Sequence, residues 1–508
     1  MTDEESIKVQ VWHVGFLLGL AILFRWATAC GPYSGQNKPP MFGDYEAQRH
    51  WMEITYALPV RDWYVDTSDN DLLYWGLDYP PLTAYHSWIL GAISSKLNTS
   101  WVVLHGSRGH ESYGHKLFMR YSVLVADVLV YLPAILAYVL FIQRPNADVR
   151  TKMYFLTSWL LYPGLILIDY GHFQYNCVSL GLFLWAVIAI LLKHDLVASA
   201  LFIMALSYKQ MELYHALPFF CYLLGGCIRQ RPVWSGFSKL IQLGAVVLIA
   251  TAIVWFPFIT DLRIFEQVLH RLFPFSRGIF EDKVANVWCA LSVVIKWKKY
   301  FEIQRLVYLC ASATILALLP MIISGIMTPT RLNFKLSLII SSLTFFLFSF
   351  QVHEKSILLA AVPMLLVLNE EPLVVCWFLL ISTISLFPLC VKDHTELAFF
   401  AWSVLYYIWI IDFLRSPSCA AKKRAKEDAH LPASFLYCFH ASISVGLLIC
   451  AASMLINPPS RYPDLFPLLN SVFCCFHFCC FLVYFYWKLL RETFATPSQV
   501  SKAKQKTQ

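Results

Sequence analysis

Apolar runs of about 20 residues recur along this chain, each closed by a short polar stretch. Such a run crosses a bilayer as a helix, because a helix satisfies its own backbone where there is no water. The first run is 11–30, with Arg25 near its far end. It is longer than a signal-peptide core and lacks a basic flank, so it reads as an anchor that stays. Further runs fall at 117–142, 153–168 and 178–192, and two short ones flank Tyr208-Lys-Gln-Met-Glu-Leu-Tyr214. The rest are 240–259, 306–326, 336–350, 357–368, 373–391, 397–414, 435–456 and 466–490. The apolar stretch 284–295 is too short for a span, and 260–301 is read as a segment that does not cross. The pattern predicts an all-α polytopic membrane protein with about 14 transmembrane helices.

One region breaks the rhythm. Residues 31–116 form a long polar segment between the first two spans, too long and too mixed for a simple connector. The expected organisation is a tail at 1–10, a first span at 11–30, a catalytic loop at 31–116, a helical bundle at 117–490 and a second tail at 491–508. Loops 143–152, 228–239, 327–335 and 415–432 are basic, the last through Lys422-Lys-Arg-Ala-Lys426. The final tail adds Lys502, Lys504 and Lys506. Lys and Arg collect on the cytoplasmic side, which puts these loops and both chain ends there. The acid-rich segments 31–116, 169–177, 260–301, 351–355 and 392–396 then share the opposite, lumenal face.

Composition agrees with this class. The chain is 58% hydrophobic and 14% charged, against about 25% charged in a soluble protein. The net charge of +8 follows from topology and does not point to nucleic acid. Most of the 15 cysteines lie in apolar runs, where Cys acts as a small hydrophobe. None falls in 31–116. Cys474-Cys475-Phe-His477-Phe-Cys479-Cys480 has the residues of a metal cluster, but one helix cannot wrap four ligands around one ion, so it reads as packing.

The chemistry gathers on the lumenal face. Met41-Phe-Gly-Asp-Tyr-Glu-Ala-Gln-Arg-His-Trp51 supplies Asp44, Glu46, Arg49 and His50. Asp78-Tyr-Pro-Pro81 holds an acid on a backbone that two prolines stiffen. Asp169, His172, Gln174 and Asn176 follow one span, Gln351-Val-His-Glu-Lys355 follows another, and Lys209 and Glu212 add a fifth pair. Ionisable groups at a membrane are costly, and their collection at one face suggests a site. The plain alternative for each cluster alone is a solvated helix end. Asp69-Asn-Asp71 has the D-x-D shape of metal-dependent nucleotide-sugar enzymes, but its surroundings read as an exposed loop. Asn98-Thr-Ser100 is a glycosylation sequon with Asn98 as the acceptor, readable only on the lumenal side; the plain alternative is an unused triplet, which chance often produces. The rings of Tyr45, Trp51, Tyr74, Trp75 and Tyr79 could stack on sugars or anchor the interface.

These motifs carry a resemblance. Pro39 to Trp51, Tyr74 to His86, Asp169 to Asn176, Tyr208 to His215 and Phe350 to Ser356 resemble the lipid-linked glucosyltransferases of the endoplasmic reticulum. Within them, Gly43-Asp-Tyr-Glu-Ala-Gln-Arg-His50 fits the first-glucose enzyme better than the sister that adds the second. The resemblance implies a GT-C glycosyltransferase fold in a multi-pass membrane protein. It also implies a lumenal active site in the long first loop, dolichyl phosphate glucose as donor and lipid-linked Man9GlcNAc2 as acceptor. By the same motifs Asp44 corresponds to the catalytic base, with Asp78 and His353 also matched. A β-linked donor and an α-linked product require one displacement, with a single carboxylate taking the acceptor proton. The phosphate leaving group needs positive charge, for which His353 and Lys355 are candidates, and Arg277 and Lys283 weaker ones. Glu46, Arg49, His50, Asp78, Asp169 and His172 complete the expected substrate-binding set. No metal is required and no cofactor is expected. The tail Lys504-Gln-Lys506-Thr-Gln508 resembles a dilysine retrieval signal. A lipid or sugar transporter is the rival of a different class, though transporters keep their charges near the midplane.

Overall fold

The computed structural model describes residues 3–273, 283–416 and 433–494, and every regular element among them is helical. Arg277, the basic cluster at 422–426 and the tail residues 502–508 lie outside these residues.

Among the described residues, ten helices are long and apolar enough to cross a membrane. They are Val11–Ala29, Tyr113–Gln143, Gln210–Arg229, Val233–Ile259, Ile303–Met327, Arg331–Phe348, Pro372–Lys392, Glu396–Arg415, Ser434–Leu455 and Leu465–Phe494. Four of the 14 expected spans are missing from this set, and each is short. The run 153–168 is interrupted where helix Val149–Leu160 stops ahead of Pro163, since the residue before a proline disfavours helix. Asn176–Leu191 has 16 residues and Asp195–Tyr208 has 14. Leu358–Leu366 has nine, all buried. An apolar run looks the same in sequence whether lipid or protein surrounds it. In 260–301, Leu262–Leu272, Val287–Leu291 and Trp297–Tyr300 have 11, 5 and 4 residues, short of the ~20 a crossing needs.

The chain divides into two compact units. The first comprises Met1–Glu212, Leu243–Ser276 and Leu386–Leu431. Its opening helices are α1 (Asp3–Ala29), α2 (Gly43–Ala57), α3 (Pro81–Leu97), α4 (Tyr113–Gln143), α5 (Val149–Leu160), α6 (Pro163–Ile166), α7 (Asn176–Leu191) and α8 (Asp195–Tyr208). A wider helical turn, Leu167–Phe173, continues α6. Arg25 pins α1 in place: its Nε donates to Asp127 Oδ2 of α4 at 2.7 Å, and Nη1 donates to the Leu160 carbonyl at 2.8 Å. Tyr170 donates to the same Asp127 oxygen at 2.6 Å. A buried charge in an apolar surrounding persists only when paired, and this pairing fixes the turn that carries His172.

The polar segment 31–116 is a folded lobe. Trp51 and Ile54 of α2, Trp63, Tyr64, Leu77, and Ala84 of α3 share one core with Phe258, Val268 and Leu272. Helix α2 stops before Pro59, and Pro81 occupies the first position of α3, where its missing N–H has no partner to lose.

The second unit comprises Leu213–Gln242, Arg277–Ser385 and Pro432–Gln508. Leu213–Arg229, Ile303–Met327, Arg331–Phe348 and Leu465–Phe494 pack together there. The 474–480 cysteines and His477 all lie on Leu465–Phe494, with His477 Nδ1 bonded to the Phe473 carbonyl at 2.9 Å.

Candidate active site

The site starts from a close chain crossing. Phe42 and Gly43 are left-handed, with φ of 58° and 72°, and Ser34-Gly35 lies against them. A Cβ on Gly43 would sit 2.8 Å from Ser34 Oγ, and one on Gly35 only 1.8 Å from the Phe42 carbonyl oxygen. Both positions need glycine, for conformation and for space. The Asp44 amide donates to Ser34 Oγ at 3.3 Å, and the Ser34 amide donates to the His172 carbonyl at 3.0 Å. The crossing therefore joins Asp44, in the first turn of α2, to the turn Leu167–Phe173. That place also sets the Asp44 carboxylate at the positive end of the helix.

Asp44 Oδ2 meets two groups. Gln174 Nε2 donates to it at 2.5 Å, and His172 Nε2 lies 3.1 Å away. The other ring nitrogen of His172, Nδ1, lies 2.6 Å from Asp393 Oδ2. The Asp44 side chain is 26% exposed, whereas those of His172 and Asp393 are 5% and 4%. Asp44 is thus the accessible end of a buried acid–imidazole–acid chain. Between His172 and Gln174, Phe173 has φ 90°, a conformation that costs a bulky residue about 1–3 kcal/mol. Packing holds it: the Phe173 ring meets Tyr45 and Tyr175 edge-on, and the Arg120 guanidinium lies 5.7 Å from its centroid.

Asp78-Tyr-Pro-Pro81 joins through Tyr79, whose hydroxyl reaches Gln174 Oε1 at 3.5 Å. Asp78 is half-buried, and its carbonyl accepts from Gln210 Nε2 at 2.9 Å. Asp169 stands behind. It is fully buried and accepts from the Asn176 and Cys177 amides at 3.2 and 2.7 Å, which caps α7. Lys209 Nζ donates to Asn176 Oδ1 at 2.5 Å and lies 5.2 Å from the Tyr79 ring centroid. The buried Glu212 belongs to the same unit.

Glu46, Arg49 and His50 have a different place. They are buried, and with Glu53 they fall on one face of α2 at helical spacing. Arg49 donates to both Glu46 oxygens at 2.7 and 2.6 Å and to Glu53 Oε2 at 2.7 Å. Its Nη1 donates to Ser107 Oγ at 2.6 Å. Glu46 Oε1 also accepts from Tyr74 and the Gly109 amide, at 2.8 and 2.9 Å. His50 Nδ1 lies 3.2 Å from Glu53 Oε2, and the His105 amide donates to Glu53 Oε1 at 2.8 Å. Burial alone would raise the Glu53 carboxyl, but the His50 hydrogen bond and the Arg49 charge outweigh it and bring it to about 2. This knot ties α2 to the 101–109 segment.

Tyr45 and Trp51 are buried too, so neither ring is open to a sugar. Tyr45 stacks on Tyr33 at 4.0 Å, and Trp51 Nε1 donates to the Trp75 carbonyl at 2.9 Å. Asp69 and Asp71 are exposed, while Asn70 is folded under them with its Nδ2 on the carbonyls of Asp62, Trp63 and Val65. That is a structured surface turn. Asn98 is exposed at the end of α3 and accepts from the Ser100 amide at 3.0 Å and hydroxyl at 2.7 Å. His353 and Lys355 stand in the second unit, half-buried at the turn Glu354–Ile357. Lys283, in the same unit, pairs with Asp464 at 2.9 Å.

Three members of these networks carried no individual signal in the sequence. Glu53 could have been found as the next residue on the 46–49–50 face. Asp393 follows an apolar run like any helix-end acid. Arg120, whose Nη2 donates to the Pro32 and Gly171 carbonyls at 2.9 and 3.0 Å, sits inside a span.

The model of the ALG6, ALG8 glycosyltransferase family matches residues 20–485. The dolichyl pyrophosphate Man9GlcNAc2 alpha-1,3-glucosyltransferase of Gallus gallus is 48% identical, covering 92% of this chain and 94% of its own length. The Mus musculus protein of the same name is 46% identical, covering 92% and 94%. A probable enzyme of that name from Drosophila melanogaster is 45% identical, covering 92% and 96%. Matched over nearly its whole length, this chain belongs to the ALG6, ALG8 glycosyltransferase family.

Proposed function

We propose that the chain transfers the first glucose from dolichyl phosphate glucose to lipid-linked Man9GlcNAc2, forming an α-1,3 bond, at the lumenal face of the endoplasmic reticulum membrane. The observation that carries this reading is Asp44, a part-exposed carboxylate in the first turn of α2, held by His172 and Gln174 in a chain of this family. The acceptor 3-hydroxyl attacks the anomeric carbon of glucose, and its proton passes to Asp44. The bond from that carbon to the phosphate oxygen breaks, and its electron pair leaves with dolichyl phosphate. The configuration inverts, no general acid is needed, and no metal is asked for. Asp78 helps place the acceptor, and positive charge is expected where the phosphate leaves. Glu46, Arg49, His50 and Asp169 support the walls of the site and do not themselves contact the sugars.

The same reading takes the architecture as a GT-C fold. The four short apolar helices count with the ten long ones toward about 14 passes, the 31–116 lobe and the 260–301 segment are lumenal, and both chain ends are cytoplasmic. The test is transfer by purified protein from dolichyl phosphate glucose to lipid-linked Man9GlcNAc2, with and without a chelator. Transfer that survives chelation is expected. Transfer only to a monoglucosylated acceptor would mean the second-glucose reaction, and no transfer to either would favour a transporter.

A further inference from the structure

We infer that Asp393 is a positioning residue for the transfer reaction: it holds His172 as a doubly protonated ring between two carboxylates, and so sets the charge and direction of Asp44. The inference rests on the reading of Asp44 as base and goes one step behind it.

The geometry begins with the ring. His172 Nδ1 lies 2.6 Å from Asp393 Oδ2 and Nε2 lies 3.1 Å from Asp44 Oδ2. An ionised carboxylate only accepts, and a neutral imidazole has a single N–H. A neutral ring would turn a lone pair toward one of the two acids. With a hydrogen on each nitrogen, both contacts become charge-assisted bonds. Burial sharpens the choice, because His172 and Asp393 are nearly closed to water and an unpaired buried charge is costly. One cation between two anions is better matched than two anions beside a neutral ring.

The surroundings complete the balance. Arg120 of α4 donates to the Gly171 carbonyl, next in chain to His172, and lies within electrostatic reach of Asp393. Lys38 Nζ donates to the Lys392 carbonyl, next in chain to Asp393, at 2.5 Å. Charged groups close to this turn include Asp44 from α2 and Asp393 from the turn before Glu396–Arg415, both on the ring, and Arg120 from α4 beside Asp393.

This arrangement has a consequence for the reaction. The proton that leaves the acceptor hydroxyl goes to Asp44, while the His172 proton stays on the ring and keeps that carboxylate aimed. Without Asp393 the ring loses its second proton more easily and can rotate away. Asp393 therefore acts on turnover through His172, and touches neither sugar.

The test uses full-length purified protein carrying Asp393→Asn, Asp393→Glu or Asp44→Asn. For each, kcat and donor KM are measured over about pH 6 to 9, together with the melting temperature. Asp393→Asn is expected to lower kcat about 10- to 100-fold, with donor KM within about threefold. The alkaline limb of its kcat profile is expected to move to lower pH. Asp393→Glu keeps the charge, so it should keep the wild-type alkaline limb and regain part of the rate. A wild-type rate and profile in Asp393→Asn, with Asp44→Asn inactive, would overturn the inference and leave the base in place. A fall in melting temperature with an unmoved alkaline limb, shared by both Asp393 variants, would also overturn it. Transfer by Asp44→Asn would instead remove the reading on which it rests.

Discussion

Helix α2 carries two kinds of charged residue within three turns. Asp44, in its first turn, is part-exposed and bonded to residues far along the chain. Glu46, Arg49, His50 and Glu53, on the buried face, are bonded mainly to each other and to the 101–109 segment. Both sets sit in one short motif and look alike as sequence. The first kind keeps an oxygen-bearing group at an accessible edge, where a proton can be exchanged. The second has traded access for fixed partners. A cluster of ionisable residues is therefore not one environment, and burial divides it within a single helix.

That division can be broken by substitution, and the largest effect falls at its chemical end. Asp44→Asn is expected to lower transfer by about 10²- to 10⁴-fold, with an unchanged melting temperature, measured on the purified protein. Arg49→Met removes the centre of the knot and strands two buried acids. It should cost about 3–5 kcal/mol of stability, read as a lower melting temperature, with the rate per folded molecule nearly kept. Gly43→Ala tests the crossing that aims Asp44. Its φ of 72° and the 2.8 Å approach to Ser34 Oγ predict a loss of about 1–2 kcal/mol and a drop in kcat larger than the stability loss explains.

A smaller effect lies in pH. The Glu53 carboxyl is lowered from 4.5 to about 2. A lowered carboxyl contributes stability above its unfolded value and loses it as pH falls through the folded one. The melting temperature should therefore fall as pH drops from 4.5 toward about 2, and Glu53→Gln should be flatter in that window while less stable at neutral pH. The smallest effect is expected at Asn98→Gln. It should remove a glycan, seen as a gel shift, and leave transfer within about twofold, as surface changes away from a site usually do.

Much of this was legible in the chain. The helical membrane class follows from apolar run length, and the motifs single out Asp44 and His172, which the structure brings together. That four of the runs form short helices is not visible in sequence, because Asn176–Leu191 and Leu358–Leu366 are as apolar as a longer crossing helix. Periodicity shows that Glu46, Arg49 and His50 share a face of α2, but not that this face is covered. Asp393 was seen only as one acid in a polar turn. Its partner is 221 residues away, and that pairing exists only once the Glu396–Arg415 helix is folded against the first unit's other helices.

The most direct measurement is the single-turnover rate of Asp44→Asn beside Arg49→Met, each normalised to folded protein. The expected loss is at least about 100-fold in Asp44→Asn and no more than about threefold in Arg49→Met. Equal losses in the two variants, or near-normal transfer by Asp44→Asn, would contradict it.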